Sequence, residues 1–131
     1  IKWHNENNTY DELFLSYELN DPKYLIHEIK GIINFSDTNK CISQRNDIVS
    51  EIKNSLNESV IKERDYIKDP AQDKSGDSKN FSIDLDIEGG KIRVYCLMWG
   101  GKFKEKGFES HLAVIIYDEI FRDFLMNEAY K

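Results

Sequence analysis

Asp84, Asp86 and Glu88 stand at alternate positions of one short stretch. On a strand, alternate residues share a face, so the three carboxylates would project together. Such a row can ligate a hard cation through oxygen, or steer a basic protein by its charge. The competing reading is a solvated outer strand face, with the acids paired to Lys91 and Arg93. A sheet nuclease needs an acidic residue and then Glu-x-Lys on the next strand. Here Glu88-Gly89-Gly90-Lys91 has the wrong spacing and lies in a turn, so that match is rejected. His111 is the second candidate, with Glu109, Ser110 and Asp118 near it in sequence. An imidazole beside a carboxylate can move protons near neutral pH. His4 and His27 can reach it only through the fold. No nucleophile elbow or phosphate-binding glycine loop accompanies these residues, and a hydrogen-bonded structural histidine is the plainer reading.

Tyr95, Leu97 and Trp99 alternate along the next stretch and form a candidate recognition patch, since Tyr and Trp are favoured interface anchors. The opposing reading is that more of the chain covers them. Lys102, Lys104 and Lys106 flank Phe103 in a glycine-rich segment that reads as a loop. Cys41 and Cys96 make no CxxC or Cys/His cluster, so two buried thiols, no disulfide, no metal and no cofactor are expected.

The elements that must position these residues are read from periodicity. Phe81 to Glu88 alternates strictly, Gly89-Gly90 is a tight-turn signal, and Lys91 to Trp99 returns. With a Gly-Gly loop, Ile87 faces Ile92 and Leu85 faces Val94, while Glu88 meets Lys91 and Asp86 meets Arg93. His111 to Tyr117 is a continuous apolar run, expected as a central strand. Before the hairpin the spacing predicts helices. Thr9-x-x-Glu12 has the form of a capping box ahead of Tyr10, Leu13, Phe14 and Tyr17. Asp21-Pro22 reads as an N-cap and first helical residue ahead of Leu25, Ile26, Ile29, Ile32 and Ile33. Cys41, Ile42, Arg45, Ile48, Val49, Ile52 and Leu56 follow a 3.6-residue repeat. Residues 58–66 fit either a strand or a helix, residues 68–80 a surface loop, and Ile120, Phe121, Phe124 and Leu125 a closing helix. The expected fold is α+β in a single domain over residues 1–131. In it N-terminal helices (1–67) and a C-terminal helix pack on a small antiparallel sheet made of the 81–99 hairpin and the 111–117 strand.

The net charge of −6 and pI near 5.1 argue against a phosphate-backbone binder, so no nucleic acid is expected. No apolar run reaches the ~18 residues of a membrane span. The chain begins at Ile1 with no signal-peptide pattern, and a cytoplasmic protein is expected. In being small, acidic and free of a catalytic motif, the chain resembles bacterial immunity proteins, including those of contact-dependent growth inhibition. That resemblance implies no enzyme activity and a tight complex with a basic toxin domain, in many cases a nuclease. The resemblance assigns no residue; by their own charge and type, Asp84, Asp86 and Glu88 are expected to steer the partner, and Tyr95, Leu97 and Trp99 to anchor it. Two other readings stay open: a small enzyme using His111 with a carboxylate, and a subunit of a larger assembly.

Overall fold

Alternation from Phe81 onward aims Ile83 and Leu85 one way and Ser82, Asp84 and Asp86 the other. In the computed structural model of the protein, which describes residues 2–3, 10–17, 19–20, 22–23 and 25–119, that strand belongs to an antiparallel sheet. The strands are β1 (Lys2–Trp3), β2 (Glu12–Tyr17), β3 (Ile26–Asn34), β4 (Val60–Lys68), β5 (Lys79–Ile87), β6 (Gly90–Met98) and β7 (His111–Asp118). Their order across the sheet is β1-β2-β3-β7-β6-β5-β4. Helix α1 (Thr38–Leu56) joins β3 to β4 and lies on one face, over β6 and β7. A short helix α2 (Gly101–Glu105) follows β6. The Asp37 side chain caps α1, accepting the Lys40 N–H at 2.9 Å. Cys41, Ile48 and Val49 of α1 close over Ile83, Leu85, Ile92, Val94, Cys96, Met98, Leu112 and Val114, and this is the core.

The architecture corrects the expectation of N-terminal helices on a small sheet. Two stretches read as helices are strands: residues 10–19 hold β2, and the stretch from Pro22 to Ile33 gives way to β3. The cause is that apolar side chains stand on both faces of the strand. Ile29 and Ile33 of β3 point to the α1 side and Ile32 to the other side, so period two is blurred into a false helical spacing. The β-branched run in β3 favours the pleated backbone. Gly31 in its middle is covered by the Tyr10 ring, which an added Cβ would meet at 2.7 Å. Residues 58–66, open between two states, hold β4. The predicted third helix is α1, and β7 is central, between β3 and β6. Thr9, Asp21 and the expected closing helix lie outside the described residues, as does His4.

The hairpin forms with its apolar face as expected, but its register differs by two residues. Ile87 pairs with Gly90, Leu85 with Ile92, Asp84 with Arg93 and Asp86 with Lys91. A slip of two keeps every side chain on its face. Glu88 and Gly89 form the turn, and only Gly89 is left-handed, at φ +81°. Gly90 extends β6, where the Tyr117 carbonyl of β7 occupies the space a Cβ would take. The second glycine serves close approach of two backbones, not the turn. Gly89→Asn should therefore cost under about 1 kcal/mol, because Asn tolerates the left-handed region. Gly90→Asn should cost about 1–3 kcal/mol by overpacking. Urea denaturation compares the two; equal tolerance would refute this register.

Cys41 and Cys96 are bonded, with S–S 2.13 Å and Cα atoms 6.1 Å apart. This corrects the expectation of two thiols. The helical repeat aims Cys41 at the sheet, and the strand alternation aims Cys96 at the helix. Both are fully buried. The bond ties α1 to β6 across 55 residues of sequence.

Candidate functional site

The face of the sheet away from α1 carries the acidic row, and it is not a solvated row. Asp84 is 1% exposed. Arg93 donates to it twice, from Nε at 2.7 Å and from Nη2 at 3.0 Å. Arg64 Nη2 and the Tyr66 hydroxyl, both from β4, donate at 3.1 Å each, and Lys91 Nζ stands 3.8 Å away. Burial alone would push the Asp84 carboxyl up. The hydrogen bonds and charge of Arg93, with Tyr66 and Lys91, outweigh it and hold the group below the usual carboxylate range. The same bonds, against the cost of burial, push the Arg93 guanidinium above its ordinary value. Asp86 is half-buried, 3.6 Å from Lys91, and Glu88 is exposed in the turn. The three acids therefore have three environments, and Asp84 is sealed from any partner. The sequence alone does not single out Arg64 and Tyr66, because residues 58–66 fit either a helix or a strand and only a strand beside β5 brings them to Asp84. Among the described residues, no group of three or more His, Cys, Asp or Glu is placed to hold a metal.

The anchoring residues also separate. Tyr95 is 8% exposed, and its ring meets His111 edge-on at 6.0 Å. Leu97 is half-buried opposite His111. Trp99 lies past the end of β6, where α2 and the segment after it gather three aromatic rings. Trp99 stacks on Phe103 at 5.3 Å, and Phe108 stands edge-on to both, at 5.3 and 5.1 Å. Phe108 is 45% exposed. Beside the trio, between the end of β3 and the start of α1, opens a cleft of about 470 Å³. Phe35, Met98, Trp99 and Phe108 supply its apolar wall, and Asn34, Ser36, Thr38, Lys104, Glu109 and Ser110 its polar rim. Ser110 fixes two sides: its carbonyl accepts the Phe35 N–H at 3.1 Å and its Oγ accepts the Trp99 N–H at 2.9 Å.

The loop between β4 and β5 buttresses this end. Asp73 is buried and accepts from Ser75 N–H at 3.0 Å, Ser75 Oγ at 2.6 Å and Ser78 Oγ at 2.6 Å. These hydrogen bonds hold its carboxyl below the usual range. Ser78 Oγ in turn accepts the Gly100 N–H at 3.0 Å. The Asp-x-Ser-x-x-Ser spacing was a legible signal for such a side-chain-bonded turn. Lys102, Lys104 and Lys106 are exposed, and Lys102 Nζ lies 5.6 Å from the centre of the Phe103 ring.

His111 is not paired with a carboxylate by any hydrogen bond among the described residues. Its Nδ1 lies 3.1 Å from the Glu109 carbonyl, and burial pushes its pKa down. The histidine–carboxylate contact is at the other end of β7, where His27 Nδ1 and Asp118 Oδ2 are 2.5 Å apart. A cleft of about 190 Å³ opens beside them, with Ile29, Ile116 and Gly90 in its wall. Among the described residues no helix is long and apolar enough to cross a membrane. No family model, curated protein or solved structure matches the chain.

Proposed function

We propose that the chain is a protein-binding inhibitor of the immunity type, which neutralises a basic toxin domain by forming a tight complex. The observation that carries this is the cleft walled by Phe35, Met98, Trp99 and Phe108. Apolar aromatic walls with a polar rim suit a side chain of a partner protein, and aromatic anchors supply a large share of interface energy. The net charge of −6 favours encounter with a basic partner. Exposed Glu88 is open to a steering role, which burial denies to Asp84. The Cys41–Cys96 bond favours an oxidising compartment over the cytoplasm expected from the sequence.

Co-expression with the product of the adjacent open reading frame tests the reading: growth should be rescued and the two proteins should co-purify. Within that complex, Trp99→Ala should speed dissociation, costing ~2 kcal/mol, about 30-fold in Kd. Glu88→Lys should slow association with little change in dissociation. Neither rescue nor co-purification would end the immunity reading. The other reading, a small general acid–base enzyme, draws on the His27–Asp118 contact in place of His111. It requires an activity of the isolated protein that His27→Ala removes while the fold survives.

A further inference from the structure

Strand β4 is the last strand of the sheet on its side, and among the described residues nothing pairs with its outer edge. Nine residues of backbone, Val60–Lys68, thus present a row of donors and acceptors to solvent. Natural sheets blunt such edges with prolines, bulges, covering segments or charged side chains, lysine above all. Here β4 contains no proline and its one irregularity lies at its start, between Val60 and Lys62, so its charges are what close the edge to unsuited strands and leave it open to a complementary one.

The side chains on this edge are sorted by face. Lys62, Arg64 and Lys68 share the face with Asp84 and Asp86, as the pairings of Lys62 with Asp86 and Arg64 with Asp84 show. Glu63 and Asp65 share the opposite face with Ile67, which is 62% exposed. On the basic face Arg64 and Lys68 flank the Tyr66 ring, at 5.7 and 5.8 Å from its centre. In a chain of net charge −6, the accessible edge is therefore basic along one face.

We propose that β4 accepts an added strand from a partner protein, and that this strand carries acidic residues at alternate positions facing Lys62, Arg64 and Lys68. The main chain would supply the pairing, and the alternate acidic positions the selectivity. Between the acids the incoming strand should carry neutral or apolar residues, which avoid repulsion by Glu63 and Asp65 and cover Ile67. A second copy of this chain does not have that complement. Two β4 strands paired antiparallel about a two-fold axis, with their helices on one face, set Arg64 against Arg64 or against a lysine, or Glu63 against Glu63 or Asp65, in the registers of greatest overlap. This surface lies apart from the aromatic cleft, so the inference does not rest on the proposed function.

The probe is a fluorescent nine-residue peptide alternating glutamate with valine and threonine, added to the whole disulfide-bonded protein at low salt. A peptide with lysine for glutamate controls for charge. One methylated at every second backbone nitrogen controls for strand pairing. Anisotropy should show the glutamate peptide binding at least about tenfold tighter than either control. Lys62→Glu with Lys68→Glu should reverse the preference between the acidic and basic peptides; both side chains are exposed, and circular dichroism checks that the fold is kept. Arg64 is left in place because it holds Asp84. Equal binding of the methylated peptide overturns the proposal in favour of plain surface charge. No binding of the acidic peptide overturns it as well. So does a self-associating protein whose dimer is broken by Lys62→Glu, or an oligothymidylate that binds β4 more tightly than the acidic peptide.

Discussion

Asp84→Ala should destabilise the protein by about 3–5 kcal/mol, the range for removing one partner of a buried charge cluster. The residue is 1% exposed and receives three hydrogen bonds from arginines and one from Tyr66. Deleting it leaves Lys91 buried beside Arg93, with Asp86 as its one other ion-pair partner among the described residues. Like charges would then face each other on a low-dielectric surface. Asp84→Asn keeps the shape but not the charge, so it should retain part of the stability. The pH dependence follows from the depressed carboxyl. The unfolded chain binds a proton at about pH 3.9, and the folded one only at lower pH. Asp84 thus contributes stability that is fully present above that value and is lost as pH falls through the folded value. Urea titrations from pH 7 down to about pH 2 should show a steep loss below about pH 4 in the parent protein and a shallower one in Asp84→Asn. A cost below about 1 kcal/mol for Asp84→Ala, or parallel pH curves for parent and Asp84→Asn, would mean that water and not Asp84 satisfies these cations.

The pairing of acids with Lys91 and Arg93 was legible because a hairpin with one apolar face restricts its register to steps of two. Which acid meets which base was not, because Gly89-Gly90 reads as one turn signal while the two glycines answer to different constraints. Gly89 needs a left-handed backbone, and Gly90 needs room for a β7 carbonyl that lies 27 residues away in sequence. The helix α1 could be read because one face alone is buried, so Cys41, Arg45, Ile48 and Val49 keep a clean repeat. Strands β2 and β3 could not, because apolar residues stand on both faces of them, as Leu13 and Phe14 or Ile32 and Ile33 do. Asp84 was read as a surface acid for a related reason. Local alternation says which way a side chain points, not whether a neighbouring strand such as β4 will bring Arg64 and Tyr66 over it. Trp99 was found by residue type. Its partner Phe108 belongs to a segment whose path depends on the Ser110 hydrogen bonds.

Breaking the Cys41–Cys96 bond is expected to remove about 4 kcal/mol, from the entropy of closing a loop of 55 residues in the unfolded chain. That is a large share of the ~5–15 kcal/mol that holds a domain of this kind folded. The bond joins the middle of the core, where α1 lies over β6, so its loss also frees the helix to separate from the sheet. Denaturant midpoints of the parent protein with and without a reductant measure the effect. The double variant Cys41→Ala with Cys96→Ala should match the reduced parent to within the loss of packing of two small side chains, and should not respond to reductant. A thiol assay on the unreduced, unfolded parent should find no free thiol. Two free thiols per chain, or identical midpoints with and without reductant, would show that the sulfurs do not bond. If the bond forms and carries this stability, the chain works at full strength only where thiols stay oxidised. The complex proposed for the aromatic cleft would then have to form in that compartment.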